Sequence, residues 1–103
     1  MTRYDKLVRD YIPYILKEKQ LDFTVRKVEG EEYLMALKNK LKEEVGEYLE
    51  NPSLEELADI REVLDALVLA HGYELHDFSY VKRHKRCQKG GFEKGVFLEE
   101  VIE

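Results

Sequence analysis

Glu43-Glu44-Val45-Gly46-Glu47-Tyr48-Leu49-Glu50-Asn51-Pro52-Ser53-Leu54-Glu55-Glu56-Leu57-Ala58-Asp59 decides how the chain folds. The stretch reads as two helices joined by a short turn. Pro52 suits a helix start, where its missing N–H is not needed. Ser53 followed by Glu56 has the spacing of a capping box, which places the second helix start within a residue of the proline. In an antiparallel hairpin, residues equally far from the turn lie at similar heights. Glu47 and Glu56 are such a pair, and so are Glu44 and Asp59. Within each helix the two acids stand three apart and share a face. Four carboxylates therefore converge on one small volume.

That convergence is costly without a cation. Two carboxylates about 5 Å apart repel by roughly 3 kcal/mol at an effective dielectric near 20. The acids must splay into water, bind protons or hold a hard cation. An all-oxygen ligand set favours Mg²⁺, Mn²⁺ or Ca²⁺ over zinc.

Outward from the hairpin, helical spacing continues in both directions. Leu34, Leu37, Leu41, Val45 and Tyr48 form one stripe, predicting a helix over Glu31–Glu50. Leu57, Ile60, Leu64, Leu67, Val68 and His71 form a broad apolar face, predicting a helix over Ser53–His71 that ends at Gly72. Glu56 and Asp59 share a row with Val63, Ala66 and Ala70, so these acids border packed surface. Gly46 stands inside the first long helix, where glycine costs about 1 kcal/mol. Its missing side chain leaves room for a ligand or a second chain.

Tyr11–Gln20 reads as a short helix, with Asp10 as its N-cap and Pro13 early enough to be tolerated. Phe23, Val25 and Val28 lie among β-formers, so residues 23–28 are expected as a short strand or an extended connection. Leu75–Gln88 reads as a third long helix with Lys82, Arg83, Lys85, Arg86 and Lys89 crowded at its end, where the helix dipole favours cations. Gly90-Gly91 stops it. Residues 95–102 carry Val96, Phe97, Leu98, Val101 and Ile102, as a terminal strand or docking arm.

The pattern predicts one all-α domain over residues 1–103, an antiparallel helical bundle with a metal site in its hairpin. The 103 residues are 44% hydrophobic and 38% charged, which suits amphipathic helices with a heavily charged surface. No apolar run is long enough to span a membrane. The start of the chain lacks a signal peptide's apolar segment, and Cys87 is the single cysteine, so a cytoplasmic protein is expected. The net charge of −5 and the absence of an aromatic-basic platform oppose nucleic-acid binding. The apolar coverage of the second long helix exceeds what one partner helix needs, which points to a bundle or a dimer. Cys87, His71, His76 and His84 lack zinc-ligand spacing.

These residues resemble the MazG-like all-α nucleotide pyrophosphohydrolases, a superfamily that includes phosphoribosyl-ATP pyrophosphohydrolases and relatives of dimeric dUTPases. The matching motifs are Glu43-Glu44-x-x-Glu47 and Glu56-Leu57-Ala58-Asp59-Ile60. Tyr4-Asp5-Lys6-Leu7-Val8-Arg9-Asp10 with Ile12-Pro13 is similar to the opening of a small single-domain branch. Gly90-Gly91-Phe92-Glu93-Lys94 and Phe97-Leu98-Glu99-Glu100 are similar to its ending. The interval from Glu47 to Glu56 is shorter than in many relatives, and Glu62-Val63-Leu64-Asp65 offers a second E-x-x-D at a longer interval. Lys89 stands where arginine is the commoner residue.

The resemblance implies hydrolysis of a nucleoside triphosphate, or of a phosphoribosyl-ATP-like nucleotide, between the α and β phosphates. It implies Mg²⁺, with Mn²⁺ as a substitute, on Glu44, Glu47, Glu56 and Asp59. Glu43 or Glu44 is then the residue that orients or deprotonates the attacking water. Lys82, Lys85 and Arg86 are candidates for the phosphates, with Lys6 and Arg9 behind them. A homodimer or tetramer is implied as well. The alternative expectation is a non-catalytic helical dimer that binds nucleotide as a regulatory module.

Overall fold

A computed structural model describes all residues, Met1–Glu103. Four helices follow one another: α1 (Ile12–Glu18), α2 (Gly30–Glu50), α3 (Leu54–Ala70) and α4 (Leu75–Lys89). There is no strand. Residues 23–28 and 95–102, expected as short strands or extended arms, join no strand and form no sheet. Their β-forming side chains have no neighbouring strand to bond.

Local signals set the helix ends. Ser53 Oγ accepts a hydrogen bond from the Glu56 N–H at 3.1 Å, so α3 begins at Leu54. Only this half of the expected capping box forms. The Glu56 carboxylate turns away from the Ser53 backbone and towards the acids of α2. At the other end Gly72 takes φ +88°, and the Tyr73 and Gly72 N–H groups bond Val68 and Leu69 carbonyls. This pair of bonds closes the helix as a Schellman motif. α4 starts with the Asp77 carboxylate accepting from the Glu74 N–H at 2.9 Å. α1 is shorter than expected, and Tyr11 rather than Asp10 stands at its N-cap with no side-chain bond.

α2 and α3 pack along each other as a hairpin, and α4 touches α3 alone. The expected bundle is therefore incomplete within one chain. Three residues are buried: Leu37 at 2% exposure, Val63 at 8% and Glu44 at 6%. Leu34, Leu41, Ile60, Leu64, Leu67 and Phe78 are half-buried. Leu57, expected on the inward face, is exposed, as are His71, Leu75 and Val81.

The molecule is long, with extents of 62 × 32 × 25 Å and a radius of gyration of 18.2 Å. A compact domain of this length has a radius near 13 Å. The accessible surface is 9978 Å². A compact monomer of this mass exposes about 6,100 Å². No helix is long and apolar enough to cross a membrane.

Candidate metal centre

The turn at Asn51–Ser53 brings the C-terminal end of α2 against the N-terminal end of α3. Carboxylate oxygens of Glu44, Glu56 and Asp59 lie within 4.8 Å of one another, as do those of Glu43, Glu44 and Glu47. Glu44 belongs to both groups and joins them. Both cross-hairpin neighbourhoods expected from the turn are present: Glu44 meets Asp59, and Glu47 stands close enough to Glu56 to perturb it. Glu62 and Asp65 join neither group. Asp65 instead faces Arg61 at 3.7 Å on the outer side of α3.

The inner carboxylates are poorly satisfied. Glu44 is one of the three buried residues, and its Oε2 has no hydrogen-bond donor. The Oε2 of Glu56 is likewise enclosed and without a donor. Buried oxygens of this kind are uncommon, because each loses its water without replacement. The Glu56 pKa is pushed up to about 7, first by desolvation and then by the Glu47 and Glu44 carboxylates. Without a cation, Glu56 relieves the crowding by keeping a proton near neutral pH.

Three cations hold the outside of the cluster. Lys6 Nζ donates to Glu43 at 2.6 Å, and Lys40 Nζ lies 3.2 Å from both Glu43 and Glu44. Arg9 donates to Asp59 at 2.7 Å. Burial works to raise the Glu43 pKa, but the hydrogen bonds from Lys6 and Lys40 outweigh it and keep the carboxyl below its ordinary range. Bonds to Glu43 and Asp59 raise Lys6 and Arg9 respectively, so both remain cationic.

Within one chain the basic candidates separate into two places. Lys6 and Arg9 reach the acids from 37 and 50 residues away in sequence. Lys82, Lys85 and Arg86 instead line an open groove of about 580 Å³ with Gly90, Gly91, Phe92 and Glu93, and none of the five acids borders it. There Arg86 pairs with Glu93 at 2.8 Å, and its guanidinium occupies the space a side chain on Gly91 would take. Lys40 joins the cluster although no motif contains it. Its place one turn before Glu43 and Glu44 on the same helix face is the signal that points to it.

A third group, Glu74, His76 and Asp77, gathers at the start of α4. All three are exposed, and they serve the helix cap and the pairing of His76 with Glu74 at 3.0 Å. Comparison with family models, curated proteins and solved structures yields no match for this chain.

Proposed function

We propose that the protein is a Mg²⁺-dependent nucleotide pyrophosphohydrolase of MazG-like type, cleaving a nucleoside triphosphate or phosphoribosyl-ATP-like nucleotide between its α and β phosphates. The observation that carries the metal part is the cluster around Glu44, with enclosed oxygens on Glu44 and Glu56 that lack donors. Oxygen-only donors on two packed helices fit a hard divalent cation. With Glu56 ionised, five carboxylates against three contacting cations leave a formal charge of −2. One divalent ion balances it. The reaction rests on the resemblance of the two acidic motifs and both chain ends to that superfamily.

Glu44, Glu47, Glu56 and Asp59 would hold the ion, with Mn²⁺ as a substitute. The ion would neutralise phosphate oxygens and acidify an attacking water. Among the protein's own groups, Glu44 is the rigid centre, fixed by burial and by Lys40. Glu43 is held anionic at the edge, where it can accept a hydrogen bond from water and orient it. Glu56 must lose its proton as the ion enters, so binding couples to proton release.

The site sits in a chain that leaves its apolar faces open. The accessible surface is about 3,900 Å² larger than that of a compact monomer. Over two protomers that excess is about 7,800 Å², more than most obligate homodimers bury, so association of more than one face is part of the expectation. A homodimer or tetramer is therefore part of the proposal, and a one-protomer mass in light scattering would remove it. The single thiol, Cys87, is exposed and suits the reducing cytoplasm proposed for the protein.

The test is pyrophosphate release from ribo- and deoxynucleoside triphosphates and phosphoribosyl-ATP, with Mg²⁺ or EDTA. Turnover that requires Mg²⁺ and disappears in a folded Glu47→Ala variant is the expected result. No cleavage of any compound overturns the enzyme. If nucleotide with Mg²⁺ then still raises the melting temperature of the wild type alone, the protein is the nucleotide-binding regulatory dimer.

A further inference from the structure

Residues 4–10 form a strap across the acidic hairpin. Asp5 takes φ +46° and turns the chain just before Lys6. Lys6 then bonds Glu43 on α2, and Arg9 bonds Asp59 on α3. Leu7 and Val8, between them, are half-buried, while Lys6 and Arg9 are exposed. The length fits: three residues of extended chain cover about 10 Å, and packed helices stand 8–10 Å apart. The strap then enters α1 through the Ile12 N–H bond to the Arg9 carbonyl at 3.1 Å.

Both cations rest on acids that flank the enclosed Glu44 and Glu56 oxygens. Each is a long flexible side chain on an exposed stem, so each can swing without moving the backbone. Lysine and the arginine fork are also strong donors to phosphate. No other cation except Lys40 pairs with these acids.

We infer that the Lys6–Arg9 strap is an exchanging phosphate clamp: its cations neutralise Glu43 and Asp59 in the empty site and transfer to the phosphate oxygens of a metal-bound polyphosphate chain. This rests on the proposed metal site. The reason for transfer is the charge the ligand brings. A metal-bound polyphosphate places several anionic oxygens at the rim, and each parked cation gains more from these than from a single carboxylate beside the divalent ion. A nucleotide then enters a site whose donors are pre-positioned at its rim, and the parked pairs keep the crowded acids folded until it arrives.

The clamp makes two predictions of opposite sign. A unit charge about 8 Å from a divalent ion in a water-like dielectric alters its binding about fivefold before salt screening. In a Lys6→Gln/Arg9→Gln variant, Mn²⁺ alone therefore binds about five- to tenfold more tightly than in the wild type. Inorganic triphosphate, titrated with Mn²⁺ saturating, binds at least about tenfold more weakly, since two charge-assisted contacts are lost. Isothermal calorimetry on the purified full chain reads both, with circular dichroism confirming helix content. If the double variant does not fold, Arg9→Gln alone must show the same two shifts at smaller size. Weakening of both ligands makes the strap a structural brace and overturns the clamp. Unchanged triphosphate binding overturns it as well. Failure of the wild type to bind Mn²⁺ at all is a different result: it removes the proposed metal site, and the clamp falls with it.

Discussion

Glu44→Gln separates charge from packing, because the amide keeps the carboxylate's shape. Glu44 is buried, one oxygen lies 3.2 Å from Lys40, and the other has no donor. Its oxygens lie within 4.8 Å of those of Glu56 and Asp59, and in the second group of those of Glu43 and Glu47. One ionised pair at that separation repels by about 3.5 kcal/mol at an effective dielectric of 20. The Asp59 and Glu43 side chains are 36% and 26% exposed, so solvent and salt at least halve that figure. Loss of the Lys40 pair returns about 1 kcal/mol in the other direction. The Glu44 charge therefore costs the protein about 0.7 kcal/mol at pH 8 for one such pair, and a domain of this size gains about 3 °C or more in melting temperature when it is removed.

The metal inverts the order. A ligand at a hundred times its dissociation constant stabilises the folded state by about 2.7 kcal/mol. The wild type gains this with Mg²⁺, and Glu44→Gln, missing the central donor, does not. Calorimetric melting at fixed protein concentration, in EDTA and across a Mg²⁺ titration, reads both halves. The variant melts higher in EDTA, and the wild type melts higher in Mg²⁺. A lower melting temperature for Glu44→Gln in EDTA would refute the electrostatic account of the cluster. Equal Mg²⁺ increments for the two proteins would refute Glu44 as a ligand.

The raised Glu56 pKa fixes a second sign. The folded state holds this proton more tightly than the unfolded chain, whose ordinary value is 4.5, so the stabilisation is complete below 4.5 and is lost as pH rises to about 7. In EDTA, Glu56→Gln should gain on the wild type across that window and run parallel to it above; parallel melts throughout would show that Glu56 titrates normally. Metal binding competes with the same proton, so Mg²⁺ affinity should fall towards about tenfold per pH unit below 7, and calorimetry in buffers of different ionisation heat should detect the released proton. A side chain added at Gly46 meets no atom within 4 Å. Gly46→Ala should therefore stabilise α2 by about 1 kcal/mol, read by urea denaturation; a loss of stability would place a second copy of the chain against that face.

Much of the hairpin was legible because its signals are local. Asn51-Pro52-Ser53 set the turn, Ser53 capped α3 as its spacing required, and Gly72 closed it with a positive φ. Equal distances from a tight turn then brought Glu44 to Asp59 and Glu47 to Glu56 without any need to know the rest of the fold. The strap was legible only as a row of residues. Its bonds run 37 and 50 positions along the chain and follow no period, so charge density drew attention to Lys82, Lys85 and Arg86 instead.

The apolar stripes mark what requires burial and are silent on which chain supplies the cover. Leu57, Leu75 and Val81 keep helical spacing yet stay exposed, because α4 leaves α3 instead of folding back along the hairpin. The same geometry limits what one protomer does chemically. It assembles five acids and the three cations that balance most of their charge, so every residue proposed to hold the ion comes from one chain. The basic groove at the end of α4 is not part of that assembly. It follows that metal affinity should survive dilution to the monomer if the protomer stays folded, whereas any role of Lys82 or Lys85 at these acids requires another copy. Metal binding that disappears on dilution while helix content persists would contradict that division.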